Sequence, residues 1–429
     1  MLGLRLLGGI FGERLGRVSG AGQFGTKLFR AALLGVALLG AAAFDHAPAF
    51  ARGPVQVSVH GGLAYFHQAV CERNAGPGVA RCLAHVRTDS QGNLLVVRPQ
   101  AAGRGVVMNA AYTPTDLRSA YKISAMGSFS TVVAVIDAYG YPNAQADLAV
   151  YRSTFGLTPC TRTNGCLIQI DQNGGTNYPK YDSGWAQEQA LDLQMVSVTC
   201  PNCKIMLVQA KSANNGDLAA AVSKAIALGA NVVSNSYGGD EVGVSGYASA
   251  YSHPGVAITA SAGDDGYGPL FPASAPGVIA VGGTTLSKAS NSRGWSETVW
   301  SYTGSGCSAV FAKPVWQTDK LCTARMVADI AAVADPGTGV YVYGPTGRNS
   351  ESGWLIFGGT SVGAPLIAGI YGATGAKPNG AAKIWATPSA LNDITSGSNG
   401  KCGGTYFCNA GPGYDGPTGM GTPAGTGAF

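Results

Sequence analysis

The stretch Phe357-Gly-Gly-Thr-Ser-Val-Gly-Ala-Pro-Leu-Ile-Ala-Gly-Ile370 is the part of the chain from which the fold is best inferred. Two glycines and a threonine lead into Ser361, and an apolar, helix-prone run with Pro365 near its start follows. Because proline lacks an N–H and fits the first turn of a helix, the pattern predicts a helix N-terminus at or just after Ser361. A hydroxyl there is accessible to a substrate, and the helix dipole favours negative charge beside it. A serine that only caps a buried helix would give the same local pattern.

Two carboxylates four residues apart, Glu188 and Asp192, lie in the predicted helix 184–198 and therefore on one helix face. Their neighbours are mostly apolar, which favours burial of much of this helix rather than a solvated face. Two carboxyls close together in poor solvent share a proton, so one pKa rises. Glu188 could then accept the proton of Ser361, with Asp192 orienting it as the third member of a triad does.

Short apolar strands alternate with helices from residue 131 onwards, which predicts a doubly wound parallel α/β sheet. Sites in such sheets gather at the carboxyl ends of strands. Ser236, Tyr237, Gly238 and Gly239 follow one predicted strand and are predicted to bind substrate. The turn at Asp264 follows the next strand, and a carboxyl group there can donate to an oxyanion only when it is protonated.

These motifs resemble those of the sedolisins, the serine-carboxyl peptidases, in the order in which that family carries them. The motifs are Glu188-x-x-x-Asp192, Ser261-Ala-Gly-Asp264, Phe271-Pro-Ala-Ser-Ala-Pro276 with Ala280-Val-Gly-Gly-Thr284, and Gly358-Gly-Thr-Ser361. The resemblance covers residues 112–429 and implies a subtilisin-like fold, with flanking helices and a C-terminal calcium-binding loop region. It also implies that polypeptides are cleaved in acid by Ser361, Glu188 and Asp192, with Asp264 as the oxyanion donor. Asp265 departs from the pattern, because the family usually has serine there.

A histidine triad of the subtilisin kind is not expected. The five histidines are at positions 46, 60, 67, 85 and 253, and none has a His-Gly-Thr-His context. An imidazole base would be charged and idle at acid pH, whereas a carboxylate base works there, since unperturbed aspartate titrates near ~3.9 and histidine near ~6.5.

The resemblance further implies one Ca²⁺ ion near the C-terminus. Its oxygen ligands would be the side chains of Asp393 and Asp415 and the carbonyls of Ile394, Gly411 and Gly413. Taken without the resemblance, the same residues describe a turn-rich loop.

Residues 1–51 are predicted to be a leader with a secretory signal peptide. Lys27 and Arg30 precede the apolar run 31–43, and Ala49-Phe-Ala51 supplies small residues for signal cleavage after about Ala51. Thirteen apolar residues are too few to span a bilayer, so no lasting membrane anchor is expected. Residues 52–111 are interpreted as a short N-terminal extension or pro-segment, and residues 112–429 as the peptidase domain.

The ten cysteines agree with export, because disulfides persist in oxidising compartments. They fall as sequence neighbours, which makes five local disulfides the simplest arrangement. The pairs are Cys71/Cys82, Cys160/Cys166, Cys200/Cys203, Cys307/Cys322 and Cys402/Cys408.

Composition narrows the function classes. Charged residues make up only 12% of the chain, the net charge is +5 and the basic residues are scattered, which gives no support to nucleic-acid binding. A sparsely charged surface suits acid, because fewer carboxylates change charge as the pH falls. We therefore expect a secreted, monomeric, calcium-dependent acid peptidase that acts on polypeptides. The alternative is a catalytically silent relative used for binding or adhesion.

Overall fold

The computed structural model describes residues 53–72, 76–97, 111–347 and 351–429. The predicted leader and signal peptide, residues 1–51, lie outside the described residues. All the described residues belong to one compact unit.

Helices and strands alternate along much of the chain. The helices are α1 (Pro114–Ala120), α2 (Ala144–Thr154), α3 (Ser183–Thr199), α4 (Asn215–Ala227), α5 (Thr360–Thr374) and α6 (Ala382–Ala386). Short 3₁₀ helices span Ser245–Tyr251, Pro336–Thr338 and Pro388–Ala390. The strands of the first half are β1 (Gln56–His60), β2 (Leu63–Ala69), β3 (Arg81–Cys82), β4 (His85–Thr88), β5 (Val132–Ala138), β6 (Leu167–Asp171), β7 (Lys204–Ala210), β8 (Val232–Asn235) and β9 (Tyr237–Gly238). The remaining strands are β10 (Ala257–Ser261), β11 (Ile279–Lys288), β12 (Trp295–Val299), β13 (Gly306–Ala312), β14 (Ala324–Val327), β15 (Ile330–Val333), β16 (Val340–Pro345), β17 (Ser352–Gly358), β18 (Leu391–Asn392) and β19 (Thr422–Pro423).

The core of the molecule is a sheet in the order β12-β11-β10-β8-β5-β7-β6, with β15 also paired to β11. All of its pairs are parallel except β11 with β12. Its central strands are short β-branched and alanine-rich runs that are buried on both faces, as expected of a parallel sheet covered by helices. The predicted α/β sheet with flanking helices is confirmed.

Helices α3 and α5 pack against each other and against this sheet. Their close approach depends on Gly369, where a Cβ would clash with Oγ1 of Thr199 at the end of α3. The helices therefore bring the first turn of α5, which carries Ser361, close to the middle of α3, which carries Glu188 and Asp192.

Helix α3 is buried from Trp185 to Thr199, and most of its polar side chains have backbone partners. The Gln187 side chain donates to the carbonyl of Pro345, and Gln194 exchanges hydrogen bonds with both backbone groups of Tyr343. Gln189 donates to the carbonyl of Ala138. These contacts offset the cost of burying the amide side chains. The two carboxylates of the same helix, by contrast, have few hydrogen-bond partners.

A second, antiparallel sheet joins the N-terminal residues to the body in the order β1-β2-β4-β17-β16. In it, Gly358 pairs with His85, and Phe357 pairs with Val86. The residues interpreted as a short extension thus contribute three strands to a sheet that ends next to Ser361. The sequence did not predict this sheet.

The five predicted disulfides are confirmed. The described part of the chain contains no helix that is both long and apolar enough to cross a membrane.

Candidate active site

Ser361 lies in the first turn of α5 and is fully buried. Gly359 lies two residues before Ser361 and has φ +94°. A Cβ there would clash with the carbonyl oxygen of Leu83 and with Oδ2 of Asp264. The turn must therefore be a glycine turn, since little else tolerates that backbone conformation. Pro365 lies in the second turn of α5 and not in the first, so the carbonyl of Ser361 lacks its usual helical partner.

Glu188 and Asp192 are fully buried on α3, as the apolar neighbours indicated. Burial raises the pKa of Glu188 well above its usual range, and the charge of Asp192 raises it further. The Ser361 hydroxyl and the Ala84 amide oppose this shift. Neither of them forms a hydrogen bond of good geometry with the carboxylate, and no other described residue does so. Glu188 therefore binds a proton more tightly than a solvated carboxyl does, and it lies between a hydroxyl and an amide.

Asp192 interacts with Ser236 in the described structure, where Ser236 Oγ donates to Asp192 Oδ1 over 2.8 Å. Burial raises the pKa of Asp192, and this hydrogen bond partly offsets the shift. Ser236 also places its backbone carbonyl 3.3 Å from Ser361 Oγ. Ser236, one of the four residues predicted to bind substrate, therefore contacts both the Asp192 carboxyl and the Ser361 hydroxyl.

Asp137, at the end of β5, is a third buried carboxyl that the sequence reasoning missed. Both of its oxygens lack a described hydrogen-bond partner. Burial raises its pKa, and so do Asp192 and Glu188, so the three groups titrate together. The signal available in the sequence was its place at the carboxyl end of a buried strand of a parallel sheet.

Asp264 is buried opposite the first turn of α5. Its Oδ1 accepts hydrogen bonds from the amide of Thr360 (2.9 Å) and from Thr360 Oγ1 (2.7 Å). Burial nevertheless raises the pKa of Asp264 to about 7. Oδ2 is left facing the turn at Gly359, 3.6 Å from Nε2 of His85. In acid this carboxyl is therefore mostly neutral and can donate a hydrogen bond.

The predicted substrate-binding strand is itself covered by N-terminal residues. Strand β3 pairs antiparallel with β9, so that Arg81 lies opposite Gly238 and Cys82 opposite Tyr237. Arg81 forms an ion pair with Asp265, the residue at which the chain departs from the sedolisin pattern. The sequence carried no local signal for this contact, because the two residues are 184 positions apart.

Comparisons with known proteins identify the family of this chain. The model of the subtilase family matches residues 174–396. The chain is 30% identical to kumamolisin of Bacillus sp. (strain MN-32), over 89% of this chain and 73% of kumamolisin. It is 29% identical to sedolisin of Pseudomonas sp. (strain 101), over 77% of this chain and 63% of sedolisin. The chain belongs to the sedolisin family.

A solved structure supports the same assignment. Pseudomonas sedolisin, a serine-carboxyl proteinase complexed with two molecules of pseudo-iodotyrostatin, superimposes with a TM-score of 0.62 at 27% identity, covering 73% of this chain and 95% of that one. This sedolisin-family protein is accordingly a serine-type peptidase with a subtilisin-like fold, and its substrates are polypeptides.

In the C-terminal loops of this sedolisin-family chain, the two predicted calcium carboxylates both accept hydrogen bonds from the glycine-containing turn 411–413. The amide of Gly413 donates to Asp393 Oδ2 (2.9 Å), and the amide of Gly411 donates to Asp415 Oδ2 (3.2 Å). The carbonyls of Ile394, Gly411 and Gly413 accept no hydrogen bond from the described residues. Clusters of three or more acidic, histidine or cysteine side chains able to hold a metal do not occur in the described ranges. A site here must therefore rely on two carboxylates and backbone carbonyls, a donor set that suits Ca²⁺.

Proposed function

We propose that this protein is a secreted serine-carboxyl peptidase that hydrolyses peptide bonds in acid through an acyl-enzyme on Ser361. Glu188 acts as general base, Asp192 orients it and protonated Asp264 donates to the oxyanion. The observation that carries this proposal is the burial of four carboxyls around one serine. They are Glu188, Asp192, Asp137 and Asp264.

The raised pKa values support action in acid. A carboxyl whose pKa is raised on folding binds its proton more tightly in the folded state, so its stabilising effect is present at low pH. That effect is lost as the pH rises through the folded-state pKa. The first proton to leave the group of Glu188, Asp192 and Asp137 gives one shared negative charge, which suffices for a base. Asp264, with a pKa of about 7, is a hydrogen-bond donor at acid pH.

The test is hydrolysis of an unfolded protein between pH 3 and pH 8. We expect activity that is maximal in acid and that falls as the pH rises through 7, because the oxyanion donor then ionises. Ser361→Ala is the matched control for a contaminating protease. A chain that cuts nothing at any of these pH values would instead be a catalytically silent relative.

Export is part of the same proposal. Five disulfides suit an oxidising compartment. We propose that residues 1–51 are removed as leader and signal, that residues 52–111 form a short N-terminal extension or pro-segment, and that residues 112–429 are the peptidase domain, which works as a monomer.

We further propose that the loops at Asp393 and Asp415 hold one Ca²⁺ ion, with the carbonyls of Ile394, Gly411 and Gly413 as the other protein ligands. The ion would fix the loops by neutralising two carboxylates that lie around the same pair of glycine amides. This proposal gives calcium a structural role and no part in breaking the peptide bond.

Chelation should therefore destabilise the protein. A ligand that binds only the folded state at 100 times its Kd adds about 2.7 kcal/mol, so removing it should lower the Tm by several degrees at pH 6. The measurement is a melting curve with and without chelator, followed by excess CaCl₂. Asp393→Asn should melt lower and respond less to chelator. An unchanged melting curve, together with no calcium by elemental analysis, would refute the site.

A further inference from the structure

The chain's own residues 81–85 run through the cleft as an extended strand between two elements that flank Ser361. Upstream, Arg81 lies opposite Gly238 in an antiparallel pair, and the amide of Leu83 donates to the carbonyl of Ser236 over 3.1 Å. Downstream, His85 lies opposite Gly358 in a second antiparallel pair. A peptide held by main-chain hydrogen bonds on both sides of a nucleophile is in the position of a substrate.

The peptide bond between Leu83 and Ala84 lies next to Ser361, Asp264 and Glu188. The Leu83 amide and the Ser361 hydroxyl converge on the same carbonyl oxygen, that of Ser236. The carbonyl oxygen of Leu83 and Oδ2 of Asp264 both abut the bare face of Gly359. On the far side of the bond, the Ala84 amide lies near Glu188, as the Ser361 hydroxyl does. Nucleophile, oxyanion donor and proton carrier are therefore arranged around one peptide bond.

From this register we propose that the cleft cuts after the residue at the Leu83 position, and that Asp265 selects a basic side chain two residues before it. The inference rests on the proposed function, because it names the substrate class of that same site.

The Leu83 position is apolar. The Leu83 side chain is fully buried and lies over Gly238, where a Cβ would approach its Cδ1 to 3.3 Å. Leu270 packs on the same face of that glycine, 3.0 Å from the same point. The pocket therefore accepts a leucine-sized apolar side chain, which packs against Gly238 beside Leu270.

The side chain at the Arg81 position is recognised through its charge. Its side chain is 7% exposed and forms an ion pair with Asp265, whose side chain is 49% exposed. Since Asp265 belongs to the same turn as Asp264, a basic residue at this position docks beside the oxyanion donor. The neighbouring Cys82 is disulfide-bonded to Cys71, which braces the segment in this extended conformation.

The reaction in this register balances with water as the only co-reactant. Ser361 Oγ bonds to the carbonyl carbon of Leu83 as its proton passes to Glu188, and the C–N bond to Ala84 breaks as Glu188 gives that proton to the nitrogen. Water then attacks the ester and restores Ser361. The products are a new carboxylate on Leu83 and a new amine on Ala84.

The first experiment measures substrate preference with quenched peptides of the sequence Val-Ala-Xaa-Ser-Leu-Ala-His, where Xaa is Arg, Gln or Glu. We expect wild type to favour Arg over Glu by roughly tenfold in kcat/KM, about what one partly exposed, charge-assisted hydrogen bond gives. In Asp265→Ser the three peptides should be cut equally well. Asp240→Ser removes the same charge from an exposed residue directly after Gly239 and should keep the preference for Arg.

The second experiment follows the full-length chain in acid by intact mass and N-terminal sequencing. We expect a new N-terminus at Ala84 in wild type and none in Ser361→Ala, while Leu83→Asp should block the cut. Three outcomes would overturn this inference and leave the proposed function standing. They are peptide hydrolysis without a preference for Arg, a preference that survives Asp265→Ser, and a self-cut at another bond. Failure to cut any peptide or itself would overturn the proposed function first.

Discussion

Replacing Ser361 with alanine, or Glu188 with glutamine, is expected to reduce kcat by roughly 10⁴–10⁶-fold without unfolding the protein. The hydroxyl and the carboxyl act as one unit, since Glu188 can take a proton only from a nucleophile that lies beside it. The double variant should therefore be little worse than either single one. Glutamine keeps the shape of the side chain and removes a buried acid, so the fold should tolerate it.

The measurement is single-turnover hydrolysis of one peptide at acid pH, with near-ultraviolet circular dichroism as the check on folding. Because residues 81–85 lie in the cleft, each variant should also be treated with a trace of tagged wild type, which is then removed. This control separates loss of chemistry from failure to clear the cleft. Activity within tenfold of wild type in either single variant would remove that residue from the mechanism.

The second large effect is expected at Asp264. Asp264→Ala removes an oxyanion donor and should lower kcat by roughly 10²–10³-fold. Asp264→Asn keeps a donor of similar shape that needs no proton, so partial activity should remain. Since burial raises the pKa of Asp264 to about 7, wild type should lose activity as the pH rises through that value. In the asparagine variant the alkaline limb should move to higher pH.

The comparison needs kcat against pH for wild type and both variants with one substrate. The other charged or titratable groups that face Asp264 are Arg81, Asp265, His85 and Glu188. Asp265→Ser is the matched control, because it changes the charge in the same turn without touching the donor. If the alkaline limb of Asp264→Asn coincides with that of wild type, Asp264 is not the titrating donor.

The sequence predicted the features that arise from local pattern. The α/β alternation gave the parallel sheet, and neighbouring cysteines gave all five disulfides. The apolar residues around Glu188 and Asp192 correctly indicated a buried helix. These features depend on spacing over a few residues, which is the range over which the physics of helices and strands acts.

Features that depend on long-range packing were not predicted. Asp137 lies at the end of a strand, and the local sequence does not distinguish it from other strand-end carboxylates. It joins the buried carboxyl group only because β5 ends next to α3. The sequence predicts a short N-terminal extension or pro-segment at residues 52–111, but it does not show that their strand β4 pairs with β17, three residues before Ser361. Nothing in the composition of residues 81–85 indicates that they lie in a cleft, because the complementary groups come from distant parts of the chain.

The antiparallel sheet β1-β2-β4-β17-β16 has a consequence for covalent connectivity. A cut between Leu83 and Ala84 falls one residue beyond the Cys71–Cys82 loop, and the other four disulfides lie wholly downstream. Strand β4 would remain part of the body, while β1 and β2 would be held to it by non-covalent contacts only, among them the backbone hydrogen bonds between β2 and β4. The cut protein would be a two-chain complex, and release of the short chain would depend on dilution instead of reduction.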